Sequence, residues 1–457
     1  MGKIATFSTP LLFQSKPLCC SLLFLTSSLL LAAHFTFSAT KCLFRSSPFD
    51  PLQGPLFSYP SSYAQHKHSI PTTRSSCSSP VPFSDYWLVS DQINSLLTPP
   101  SQPPPSLKFL QRNASTFGGN LTFPERLPYL NNPDDHGLEI PCGFFKNFPI
   151  SSSDREAMEN CKGVVVVSAI FNDHDKIRQP VGLGSKTLGL VCFFLFVDDE
   201  TLDRLHLHNL ITPQKSSKKL KIGAWTVVRV SSEELYENPA MNGVIPKYLL
   251  HRLFPNSKYS IWIDAKLQLV VDPLLLIHSL VIKDGFDMAV SKHPFFLHTM
   301  EEAAATARWR KWWDVSGIIA QMESYCEHGL LPWNSDKPYP SDVPDSALIL
   351  RKHSVPTNLF SCLIFNELEG FNPRDQLPFA FVRDNMRPKL RLNMFEVEVF
   401  EQIAIEYRHN TKNQHGGGGA NVMGSRNWGY NSALFANGTH GKCEGYLLDM
   451  WGEVESP

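Results

Sequence analysis

Tyr259-Ser260-Ile261-Trp262-Ile263-Asp264-Ala265-Lys266-Leu267 is an apolar run that ends in a carboxylate, with a second charge two residues beyond it. Side chains on a strand repeat every two residues, so a strand here delivers Asp264 and Lys266 to one edge on the same face. Working outward, Val164 to Phe171 is a β-branched run that reads as the first strand, buried on both faces as in a mainly parallel sheet. A second continuous run, Leu190 to Val197, stops at Asp198-Asp199, and a third spans Trp225 to Val230. Between the third strand and the Asp264 strand, Ile245 to Phe254 carries apolar residues at helical spacing, with Pro246 near the first turn. This alternation of strand and crossover predicts an α/β fold with ligands gathered outside the carboxyl ends of the strands. Farther on, Val271-Asp272-Pro273 reads as an N-cap followed by proline, with a buried helix from Leu274 to Val281. Asp287 to Ser291 reads as a short strand. Thr299 and Glu302 make a capping-box pattern ahead of a helix reaching about Cys326. Trp309, Trp312 and Trp313 on that helix read as packing rather than sugar stacking.

The chain has 457 residues and 42% hydrophobic content, enough for one large domain or two ordinary ones with a sizeable core. A formal charge of -1 and no long block of like charge give no field for nucleic acid. Between Lys16 and Lys41 no residue is formally charged, and a run of about 20 apolar residues matches a bilayer's hydrocarbon thickness. Residues 1–17 therefore read as a cytosolic tail and 18–38 as an uncleaved transmembrane anchor; the competing reading is a cleaved secretory signal. Local charge leaves the orientation nearly tied. Sequons at Asn113, Asn120 and Asn437, all beyond the anchor, favour a lumenal domain. Of 10 cysteines, eight follow the anchor without a Cys-x-x-Cys pair, which argues against a zinc knuckle and makes disulfides plausible in an oxidising lumen. Residues 39–139, rich in Ser and Pro and including the run Pro99, Pro100, Pro103, Pro104 and Pro105, read as a mostly disordered stem. The globular part is placed at 140–410, and 411–457, with Gly416 to Gly419 at its start, as a flexible tail.

Lys247-Tyr248, Trp262-Ile263-Asp264-Ala265-Lys266, Ser291-Lys292-His293-Pro294, Glu301-Glu302-Ala303 and Arg374-Asp375-Gln376 together resemble a plant family of glycosyltransferase-like Golgi proteins. Its members are described as probable hexosyltransferases linked to mucilage polysaccharide or, for the turgor-regulation-defect protein, as an alkaline ceramidase. The resemblance spans Pro141 to Asn410. It implies a nucleotide-diphospho-sugar-transferase-like (GT-A-like) sheet flanked by helices, in a single-pass type II Golgi membrane protein. The implied partners are a nucleotide-sugar donor, UDP-sugar first, and a glycan or lipid acceptor.

Enzymes of this kind often place Asp-x-Asp at such a strand end, where the carboxylates hold Mn2+ or Mg2+ on the donor diphosphate. A cation there stabilises the charge that develops as the diphosphate departs. Asp264 is thus a candidate catalytic and metal-binding residue, or else an aspartate capping a turn. Lys266 departs from the pattern and puts metal dependence in doubt, since an ammonium cannot ligate a hard cation. Three readings stand: Lys266 neutralises the diphosphate itself, a metal binds through Asp264 and a carboxylate elsewhere, or Lys266 points into solvent. Asp198 and Asp199 are candidates for a base or ribose, with turn formation as the plain alternative. Lys176 and Arg178 follow the first strand, where they could reach phosphates or simply line a solvated loop. Asp375 is a candidate general base or substrate clamp, or a helix cap. Arg374 and His293 complete the substrate-binding set.

Amide hydrolysis of ceramide is the alternative reaction, and it needs a metal-bound hydroxide or an activated nucleophile. The chain has neither His-Glu-x-x-His nor Gly-x-Ser-x-Gly. His206 and His208 could share a strand face, but nothing marks a third ligand. A non-catalytic Golgi scaffold is a further reading that the Lys266 substitution accommodates.

Overall fold

The computed structural model describes residues 16–37, 48, 50–63, 86–97, 106–130, 139–211, 220–308 and 315–407. Its centre is an eight-stranded mixed sheet. The strands are β1 Val164–Ile170, β2 Val191–Val197, β3 Leu220–Ile222, β4 Trp225–Arg229, β5 Tyr259–Ile263, β7 Met288–Lys292, β8 Pro344–Lys352 and β9 Leu392–Phe395. β6 (Leu267–Leu269) and β10 (Ala404–Glu406) form a separate antiparallel pair beside it. The order across the main sheet is β9-β7-β8-β5-β1-β2-β4-β3. β1 pairs in parallel with β2 and β5, and β2 with β4. β8 runs antiparallel between β5 and β7, and β3 runs antiparallel at the other edge.

Both faces of the sheet are covered, which is why its strands are continuous apolar runs. Along β1, Val165 and Val167 face one core and Val164 and Val166 the other. Helices Pro239–Tyr248 and Val355–Gly370 build the first core, and the short helix Pro273–Ile277 the second. Asp272 caps that short helix through Leu274 N–H at 2.9 Å and also accepts Gly184 N–H at 2.9 Å, so a residue legible as a cap also ties down a distant loop. The antiparallel β8 has a positional consequence: its first residues lie beside the last residues of β5, with Ala347 accepting the Asp264 N–H at 2.8 Å.

Two helix readings change. The helix after β7 starts at Thr299, so Thr299 is its first helical residue rather than its cap. Glu301, not Glu302, reaches back to Leu297 N–H (2.9 Å) and His298 N–H (3.1 Å), and His298 Nδ1 accepts Met300 N–H at 3.0 Å. The helical stretch expected to reach Cys326 is described as Thr299–Arg308 and Val315–Glu327; Trp309, Trp312 and Trp313 lie outside the described residues, as do Asn437 and the 411–457 segment.

Part of the expected stem packs on the domain. Tyr63 is 3% exposed and its hydroxyl accepts Ile177 N–H at 2.8 Å. Val89 and Ile93 are buried on one face of helix Tyr86–Leu97, and Phe117 is in the first core. Arg126 makes a buried ion pair with Glu367 at 2.7 Å. These anchors are single residues spaced among Ser and Pro, so average composition does not register them. Cys142–Cys362 and Cys161–Cys192 are disulfides, the first closing a sequence separation of 220 residues, the longer kind of loop whose closure most restricts an unfolded chain. The helix Lys16–Phe37 is long and apolar enough to cross a membrane.

Candidate active site

At the carboxyl end of β5 the chain turns, and Asp264 is left partly exposed with 31% of its side chain accessible. Trp262 Nε1–H donates to Asp264 Oδ1 at 2.7 Å, fixing the carboxylate's orientation. Lys247, at the end of helix Pro239–Tyr248, brings its ammonium to 3.6 Å from the same oxygen. On its other side Lys247 is 2.7 Å from Asp375 Oδ2. Asp375 precedes helix Gln376–Asn385 but spends no side-chain bond on capping it. Its carboxylate instead accepts Tyr248 O–H and Ser346 O–H, both at 2.8 Å. Burial pushes the Asp375 carboxyl up, but the Lys247 charge and the bonds from Lys247, Ser346 and Tyr248 outweigh it and hold it below the usual range. Burial beside Asp375 drives the Tyr248 hydroxyl well above its ordinary value, so it stays a donor. Arg351 supports the cluster from beneath by donating to the Lys247 carbonyl at 2.9 Å.

Lys266 does not point freely into solvent. Its Nζ is 2.8 Å from Glu406 Oε1, in the strand beside β6. Desolvation opposes its charge, but Glu406, Asp345 and Asp264 together hold the ammonium well above its usual value. Asp345 comes from the start of β8 and is pushed up by burial, partly offset by Lys266 and by Ala347 N–H. This set suits a hard divalent ion poorly. Its carboxylates surround an ammonium, and one Asp264 oxygen already accepts from Trp262. Among the described residues, Cys142, His251 and Cys362 alone bring three His, Cys, Asp or Glu ligand atoms within 4.8 Å of one another, and the two sulfurs there are bonded to each other.

The other sequence candidates lie around this centre. Arg178 is buried, its guanidinium carbon 3.6 Å from the centre of the Tyr407 ring. Among the described residues its Nε and Nη2 have no hydrogen-bond partner, nor has the Ser168 hydroxyl. Both residues line a cavity with Lys176, Ile170, Trp225 and Ile263, under the carboxyl ends of the parallel strands. Lys176 sits 3.7 Å from Asp173 and over the Tyr63 ring. Asp198 takes the turn-forming role: it caps helix Asp199–Leu207 through Thr201 N–H at 2.9 Å and accepts Asn172 N–H at 2.7 Å. Asp199 pairs with Arg229 at 2.5 Å. His293 Nδ1 accepts two backbone N–H groups, from Phe295 and Phe296. Arg374 is spent on the buried Glu302, which also approaches His293 at 3.9 Å. Asp264, Lys266 and Asp375 are therefore gathered around one sheet edge, whereas Asp198, Asp199, His293 and Arg374 are held in local contacts of their own.

Lys247, Ser346, Asp345 and Glu406 were not singled out for chemistry by the sequence. Lys247 stood in a quoted motif, and that motif was the available signal for this residue in the last turn of its helix. Asp345 carried none, since its relation to Asp264 exists only across the β5–β8 pairing.

A family model described as TOD1/MUCI70, glycosyltransferase-like domain, matches residues 106–409. The Arabidopsis thaliana protein named alkaline ceramidase TOD1 is 56% identical over 99% of this chain and 100% of its own length. The probable hexosyltransferase MUCI70, also from Arabidopsis thaliana, is 36% identical over 60% of this chain and 47% of that protein. Among solved structures, mouse xyloside xylosyltransferase 1 aligns with a TM-score of 0.29 and 8% identity, over 51% of this chain and 85% of that one. The WbbM bifunctional glycosyltransferase aligns with a TM-score of 0.26 and 10% identity, over 51% and 39%.

Proposed function

Because the chain belongs to the TOD1/MUCI70 glycosyltransferase-like family, we propose that it transfers a hexosyl group from a nucleotide sugar, UDP-sugar first, to a polysaccharide or glycoconjugate acceptor. The observation that carries this reading is the Asp264–Lys247–Asp375 array at the carboxyl edge of the parallel strands. A leaving diphosphate needs positive charge at its oxygens in the transition state. Lys247 and Lys266 supply two ammonium groups at that edge. Asp375, fully engaged by three donors and depressed in pKa, orients Lys247 rather than acting as a base. Asp264, the more exposed carboxylate, faces the sugar and acceptor. On this reading Lys266 takes the place of a metal. Arg178 and Lys176 reach the phosphates of the donor. Asp198, Asp199, His293 and Arg374 shape the loops around it.

The test is thermal unfolding of the full chain in detergent with UDP or GDP, each with manganese or with EDTA. Ligand at about 100 times its dissociation constant adds about 2.7 kcal/mol, a rise of several degrees for a domain of this size. The expected shift is the same with EDTA as with manganese. A shift seen only with manganese would return the diphosphate to a metal.

Ceramide hydrolysis is the second reading, and the observation favouring it is the 56% identity to the protein named alkaline ceramidase. Assay of the same preparation on ceramide, following fatty acid release, separates the two. For location, we propose a single-pass type II Golgi membrane protein with a lumenal domain, supported by the apolar N-terminal helix and by Asn113 and Asn120, both exposed. Asn113→Gln and Asn120→Gln are each expected to raise electrophoretic mobility by one glycan step in protein from plant cells. Unchanged mobility in both would remove the sequon support for a lumenal domain.

A further inference from the structure

The strand Ala404–Glu406 leaves the second core after Ala404, which like Ile403 is buried in it. Among the described residues it pairs only with β6. The next three side chains point elsewhere: Ile405 is 36% exposed, Glu406 reaches Lys266 at 2.8 Å, and Tyr407 lies on Arg178 at 3.6 Å. Tyr407 N–H donates to the Lys266 carbonyl at 2.9 Å, and its hydroxyl donates to Gln268 Oε1 at 3.0 Å. One short segment therefore covers two of the cations assigned above to the donor, Lys266 and Arg178.

The contacts are those of a substitute. Glu406 gives Lys266 one carboxylate where a phosphate would give several oxygens. Arg178 meets the Tyr407 ring face and the charge of Asp175, while among the described residues its Nε and Nη2, the edge that pairs in bidentate fashion with oxyanions, have no hydrogen-bond partner. Buried donors left unpaired are destabilising, and among the described residues the Ser168 hydroxyl beside them is unpaired too. A three-residue strand on a two-stranded pair with an exposed outer residue is the kind of element that opens at low cost.

We propose that Ile405–Tyr407 is a displaceable strap: Glu406 holds the place of a donor phosphate on Lys266, and lifting the strap opens Lys266, Arg178 and Ser168 to the diphosphate. This rests on the nucleotide-sugar reading. The strap reduces apparent affinity by the fraction of time it is closed.

Inorganic pyrophosphate, UDP and GDP are titrated into the full-length chain in detergent, wild type and Glu406→Gln, with hydrogen exchange followed at Ile405–Tyr407. Glu406→Gln, a partly exposed and nearly isosteric change, is expected to tighten pyrophosphate about 10-fold, as for a segment open about a tenth of the time. In the wild type, pyrophosphate is expected to speed exchange at Tyr407 N–H while slowing it at Ser168, and this readout needs no variant. Equal affinities with unchanged Tyr407 exchange would overturn the strap and leave the nucleotide reading standing. Tightening in the variant with UDP and GDP no better than pyrophosphate would keep the strap and sink the nucleotide reading. No anion bound by either protein would overturn both.

Discussion

Lys247→Met is expected to destabilise the domain by about 3–5 kcal/mol, the cost of leaving a buried partner charge uncompensated. The partner is Asp375, whose carboxylate lies 2.7 Å from the ammonium with both residues' side chains about one-tenth exposed. Methionine matches the stem of lysine, so little packing is lost and the effect isolates charge. Adding Asp375→Asn should recover much of the loss, because the orphaned charge is then gone, and a double-mutant cycle reads the coupling directly. The pH dependence follows from the direction of the Asp375 shift. Its folded pKa is depressed, so the stability it contributes is present above the unfolded value of about 3.9 and is lost as pH falls through the lower folded value. The gap between wild type and Lys247→Met should therefore narrow below about pH 4. A gap that is constant from neutral pH to pH 3 would show that the pair is not the source of the loss.

Asp264→Asn should behave in the opposite way, sparing the fold and removing the reaction. Asp264 is partly exposed, and an asparagine oxygen can still accept from Trp262 Nε1. The unfolding free energy should change by less than about 1 kcal/mol, in the range of ordinary surface changes. Sugar transfer should fall by about 10²–10³, the usual scale for removing one electrostatic group at a reacting centre. If transfer persisted unchanged while the fold was intact, Asp264 would be a turn residue and the centre would lie elsewhere. If ceramide hydrolysis rather than transfer fell, the same carboxylate would serve the second reaction.

Much of the scaffold is readable along the chain because it rests on local rules. The apolar runs at Val164, Val191 and Trp225 are strands since both sheet faces are buried, and Asp272-Pro273 starts a helix because its cap is a neighbour in sequence. The helix start lies one residue before the place the Thr299 pattern gives it because His298 Nδ1 and the Glu301 carboxylate, rather than Thr299 and Glu302, satisfy the first N–H groups. Tyr63, Phe117 and Arg126 were hidden in the Ser- and Pro-rich region because single anchors do not alter composition.

The sequence by itself determined the α/β class and the apolar N-terminal helix, through patterns that act over a few residues, whereas Asp264 and Lys266 do not continue the strand alternation: β5 ends at Ile263 and both lie in the turn after it. Only the tertiary structure decided what those two residues meet. Lys247, Asp345, Asp375 and Glu406 arrive from a crossover helix, an antiparallel strand, a helix start and a separate two-stranded pair. Electrostatic interaction depends on distance in space and on burial, and neither is a function of separation along the chain.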